Sequence, residues 1–134
     1  MLIDILKQLK DLPKLWATVS KERRELKDNT LRSLNTALLE TKLYYQGLGR
    51  GKSRDRDIEA QLVKYWGAAA IPLRHFDEEL AFMCEQKAEY WIDPEQWSDA
   101  QIRELGIELS EVSKSYRSLA MPSMSKLRDY KSAR

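Results

Sequence analysis

Cysteine and histidine are nearly absent from this 134-residue chain, with Cys84 and His75 standing alone. One cysteine excludes an intramolecular disulfide and suits a reducing compartment, so a cytoplasmic location is expected. One Cys and one His do not build a conventional zinc site. No metal and no cofactor are expected. Long apolar runs are missing too. The opening MLIDILKQLKDL is interrupted by acids and lysines, unlike a signal-peptide core, and no stretch approaches the roughly 20 apolar residues of a membrane span. Alternating β-branched runs are lacking, which argues against strands. Proline and glycine number four and five, so few breaks are available to divide the chain.

Leu, Ala, Glu, Lys, Arg and Gln dominate what remains, and these residues favour helix. The expected fold is all-α: a compact bundle of four main helices over roughly 30–46, 54–70, 76–91 and 107–120. One or two short additional helices are expected at the N-terminus and around 95–104. A single domain spans 1–120, followed by a partly ordered basic tail over 121–134. Leu2, Ile5, Leu6 and Leu9 form one helical stripe. Asp11 then caps a second segment with Pro13 in its first turn, and Asp28 or Asn29 starts the next. That helix carries Leu31, Leu34, Leu38, Tyr45 and Leu48 inward and ends near Gln46 or Gly47, before the GLGRGKS break. Ser53 or Asp55 caps a helix bearing Ile58, Leu62, Tyr65, Trp66 and Ala69, which Pro72 stops or kinks. Asp77 caps the next, whose apolar face is Leu80, Met83, Cys84, Ala88 and Trp91. Asp93-Pro94 and Ser98 offer two further starts. After Gly106, Leu109, Val112, Tyr116 and Leu119 face inward from the last helix.

Charge is unevenly placed. Residues 76–111 carry eleven acids against Lys87 and Arg103, a balance of −9, whereas residues 1–75 stand at +6 and 112–134 at +5. Such a chain neutralises itself on folding or presents opposed faces to a partner. Partial neutralisation with an exposed acidic remainder is the expectation.

Motifs of chemistry are sparse. GLGRGKS ends like a phosphate-binding loop, but position 46 is Gln where glycine is required and the preceding segment is helical. Arg50, Lys52, Arg54 and Arg56 make a local basic cluster. With Lys126, Arg128, Lys131 and Arg134 of the tail they form the candidate nucleic-acid contacts, although interleaved acids suit intrachain salt links as well. Glu40, Glu59, Glu85 and Glu89 are the candidates for a carboxylate-based catalytic site. Glu85 and Glu89 share a helix face at i,i+4. Three adjacent aromatic pairs, Tyr44-Tyr45, Tyr65-Trp66 and Tyr90-Trp91, point one ring inward and its neighbour toward an edge. Tyr44, Tyr65, Tyr90 and Trp97 are therefore the candidate protein interface.

The leading functional expectation is a non-enzymatic helical interaction or accessory module, with a protein partner or a second copy in a C2 dimer. A nucleic-acid-associated protein is the alternative, and a small helical enzyme the third.

Overall fold

The computed structural model describes residues 2–105 and 107–121, with side chains from residue 17 onward. Four longer helices dominate: α1 (Leu2–Gly49), α2 (Arg56–Leu73), α3 (Glu78–Ile92) and α5 (Leu109–Ala120). A 3-10 turn (Pro94–Gln96) and the six-residue α4 (Asp99–Glu104) lie between α3 and α5. No strand occurs among the described residues, so the all-α bundle is the fold.

The main correction concerns α1. It runs unbroken through Pro13, Asp28 and Asn29, where the residue types allowed new starts. A capping side chain acts only where the preceding backbone leaves the helix. The run SKERRELKDN instead keeps its helix through good formers and the i,i+4 pair Lys21–Glu25. At 1.5 Å per residue α1 is about 72 Å long, against about 27 Å for α2. Its end comes at Gly49, a few residues later than expected. There Gly51 takes a left-handed φ of 92°, Lys52 N–H bonds the Gly47 carbonyl at 3.0 Å and Gly51 N–H that of Leu48 at 3.1 Å. That double closure is a Schellman stop, and glycine adopts its left-handed residue without a Cβ penalty.

The other starts follow the residue chemistry. The Asp55 carboxylate accepts from the N–H groups of Asp57 and Ile58. Asp77 accepts from Leu80 N–H, and Ser98 with Gln101 completes a reciprocal capping box. Pro72 falls in the last turn of α2, which ends one residue later. Helix α1 is antiparallel to α2: Tyr44 meets the start of α2 at Glu59, and Arg23 reaches the turn after it at His75. A short turn returns the chain into α3, and α5 packs across α1 and α3.

Leu34, Leu38, Leu62, Trp66, Leu73, Leu80, Cys84 and Val112 fill the core. On α1 the inward face is Thr30, Leu34, Ala37, Thr41 and Tyr44, so Tyr44 is buried while Tyr45, assigned inward by its spacing, is 37% exposed. Two threonines make this possible. Thr30 and Thr41 donate their hydroxyls to the carbonyls of Leu26 and Ala37, and Thr41 Oγ1 also accepts from Trp66 Nε1 at 3.0 Å. A satisfied hydroxyl is buried at little penalty.

Candidate functional site

At one end of the bundle the close of α1, the 50–55 turn and the start of α2 converge on the end of α3. Glu59, 3% exposed, accepts a bidentate pair from Arg54, Nε to Oε2 at 2.8 Å and Nη2 to Oε1 at 2.7 Å. The Tyr44 hydroxyl donates to the same carboxylate and accepts from Asp55 N–H at 3.0 Å. Arg54 and Arg56 both reach Glu95, at 2.5 and 3.4 Å. The Arg54 hydrogen bonds hold the Glu59 carboxyl below its usual range, with burial opposing and Tyr44 assisting. Burial first, then the bond to Glu59, pushes the Tyr44 hydroxyl up. This is an intrachain ionic brace that fixes the turn against α2 and the 3-10 turn that follows α3.

The candidate aromatics do not make one patch. Tyr44 is buried, its ring edge-on to Trp91 at 5.7 Å. Its placement at a surface interface is corrected accordingly. Tyr90 sits between Trp91 and Trp97, at 5.0 and 6.0 Å. Trp97 is half-buried, and Tyr65, also half-buried, lies outside these ring contacts on α2. Offset and edge-to-face rings of this kind lock packing. The basic cluster divides too. Arg54 and Arg56 are occupied by acids, whereas Arg50 and Lys52 are exposed on the turn. Lys126, Arg128, Lys131 and Arg134 lie outside the described residues.

The carboxylates separate into three places: Glu40 on the exposed side of α1, Glu59 in the brace, and Glu85 with Glu89 on α3. Cys84 is fully buried, and burial first, then Asp77, pushes its thiol up to about 12. It stays protonated and unreactive. His75 is exposed on the turn after α2. Among the described residues no group of three or more His, Cys, Asp or Glu is placed to hold a metal ion. No helix there is long and apolar enough to cross a membrane.

A second buried charge, like the burial of Glu59, was not legible in the sequence. Lys87, 3% exposed, donates to the Ile107 carbonyl at 2.9 Å and lies 5.3 Å from the Tyr90 ring centroid. Burial pushes its pKa down to about 8, against the attraction of Glu108. It ties the segment entering α5 to α3. The charge pattern alone gave no signal of this, because a lysine among acids ordinarily reads as a solvated partner.

A shallow concavity lies elsewhere, between α2 and α3, with a volume of about 550 Å³. Gly67, Ala70, Ala81 and Ala88 line it with small groups, while Ile71 and Phe82 are 63% and 46% exposed. Arg74 is the one cation among its described lining residues, against Glu78, Glu85 and Glu89. None of these three acids forms an ion pair among the described residues. They are three of the exposed acids of residues 76–111, with Glu79, Asp99, Glu104 and Glu111 exposed as well. Gly67 is informative because a Cβ there meets nothing within 4 Å and its φ is ordinary. Glycine in a helix interior costs about 1 kcal/mol relative to alanine, and neither packing nor backbone geometry requires it at this point. Its bare backbone keeps the groove wide.

No family model, no curated protein and no solved structure matches the chain.

Proposed function

We propose that this protein is a helical docking module that receives a basic amphipathic helix of a protein partner in the groove between α2 and α3. The observation that carries the reading is the groove's composition: small apolar lining, two exposed large apolar side chains and three unpaired glutamates against one arginine. Helix-in-groove recognition sets an apolar face into such a channel, and charged rims govern register and encounter rate. The aromatic end is the rigid support that holds the start of α2 and the end of α3 in place. The buried thiol fits a role without covalent chemistry, in a reducing compartment such as the cytoplasm.

A fluorescent 18-residue helix of leucines and lysines is the probe, titrated at two salt concentrations. Parent protein binds it, more weakly at high salt. Gly67→Leu fills the channel and reduces affinity at least tenfold with an unfolding midpoint no lower than the parent's. The pair Glu85→Gln and Glu89→Gln weakens binding chiefly at low salt. Absence of binding, or binding indifferent to Gly67→Leu, overturns the reading.

A further inference from the structure

The face that α1 buries in the bundle does not stop where the bundle stops. From Leu48 back through Tyr44, Thr41, Ala37, Leu34, Thr30, Leu26, Arg23 and Val19, steps of three or four residues trace one side of the helix. Above Thr30 that side is covered by the other helices. Below it no side chain from Ala17 to Asn29 is buried, and Leu26 and Val19 are 42% and 51% exposed. Arg23 marks the border, where it turns onto its own bundle over the Phe76 ring at 5.0 Å.

The sequence below Val19 continues the series at strict 3-4 spacing: Trp16, Leu12, Leu9, Ile5 and Leu2. Written as heptads from Leu2, these residues fill every a and d position. Between residues 2 and 20 each charged residue (Asp4, Lys7, Lys10, Asp11 and Lys14) falls on b, c or f, and none on a, d, e or g. Helix α1 runs through this stretch despite Pro13, whose place in a helix interior costs about 3 kcal/mol. Helices of this kind are held by packing of an apolar face rather than by propensity.

We propose that this face is a seam for a second copy of the chain, the two α1 arms lying antiparallel. The direction follows from the bundle. It occupies the same side of α1 from Thr30 onward, so a parallel neighbour collides with it, whereas antiparallel pairing over residues 2–19 places the two bundles at opposite ends of the seam. The heptads pair a with d across such a seam: Leu2 with Val19 of the second copy, Ile5 with Trp16, and Leu9 with Leu12. The six a and d residues, with Leu6 and Leu15 flanking, bury about 60–120 Å² each by the usual transfer values. The sum, about 500–1,000 Å² on each copy, spans the roughly 800 Å² of a standard interface. The contact is isologous and closes at two copies. The polar side of the arm mixes Asp4 and Asp11 with its lysines, unlike the Lys- and Arg-rich polar face of a helix that lies on a membrane.

Sedimentation equilibrium of the full chain over about two decades of concentration reads the assembly. The expected mass moves from 15.7 kDa toward twice that value. Leu9→Glu with Leu12→Glu remains monomeric and keeps the parent's unfolding midpoint at dilute concentration, while Lys14→Glu at an f position still dimerises. A spin label on Lys21→Cys, with Cys84 fully buried, gives the direction. Antiparallel arms place the two labels about 30 Å apart, from 1.5 Å per residue, and parallel arms bring them to roughly the 8–10 Å between packed helices. A monomer at every concentration, dimerisation unaffected by the double glutamate, a short label distance, or vesicle binding by a chain that stays monomeric in water each overturns the proposal.

Discussion

Lys87 carries the sharpest consequence of burial at the scale of a single residue. Its folded-state pKa of about 8 lies below its value of 10.5 in an open chain. Between those values the unfolded chain holds the proton and the folded chain has released it, so stability rises with pH. The slope is at most about 1.4 kcal/mol per pH unit for one proton. Cys84 opposes it. Its thiol, raised from 9.0 to about 12 by burial, ionises only in the unfolded chain above pH 9, and the raised Tyr44 and Tyr45 hydroxyls act likewise above pH 10. Parent protein therefore gains on the order of 1 kcal/mol from pH 8 to 9 and then levels off. Lys87→Met lacks the gain, staying flat to pH 9 before falling. Urea midpoints of both proteins between pH 7 and 10 check this. Parallel curves for the two would place the buried charge elsewhere.

At the scale of the element, caps and faces were readable and continuity was not. Asp55, Asp77 and Ser98 stand where a short acceptor must meet open N–H groups, and each does so. Asp28 and Asn29 have the same chemistry without that context, and α1 passes through them. The exchange of Tyr44 for Tyr45 has a related cause. Thr30, Ala37 and Thr41 weigh little as apolar residues, so Leu31 and Leu38 pulled the apparent stripe one position round. The buried Glu59 and Lys87 were illegible because charge signals exposure unless a specific partner is known. The α2 cap permits a clean test. Asp55 accepts from Asp57 N–H at 2.9 Å and Ile58 N–H at 3.2 Å, and removing such a cap costs about 0.5–2 kcal/mol. Asp55→Ala lowers the thermal midpoint by a few degrees. Asp55→Asn, which keeps the acceptor and loses the charge, restores most of it, leaving a deficit of about 0.3–1 kcal/mol from the helix dipole. Equal loss in both variants would assign the effect to charge alone.

The whole molecule has two regimes joined by one helix. Above Thr30, α1 is a wall of a packed core. Below it no side chain from Ala17 to Asn29 is buried, and the apolar spacing continues in the sequence to Leu2. Amide hydrogen exchange separates these regimes, because core amides open only with substantial unfolding and arm amides open by local fraying. Protection over residues 59–73 and 80–91 is expected to be high and independent of protein concentration. Protection over residues 3–22 is expected to depend on it. If arms are held by a second copy, they exchange through the free monomer, whose fraction in a mostly dimeric solution falls as the inverse square root of concentration. A hundredfold increase in protein then slows arm exchange about tenfold. Leu9→Glu with Leu12→Glu removes the dependence while leaving the bundle's protection in place. Gly67→Leu, which fills the groove between α2 and α3, leaves the dependence intact. Arm exchange that ignores concentration in the parent protein would mean that the stripe below Thr30 is not held by a second copy, and the groove reading would stand or fall by its own titration.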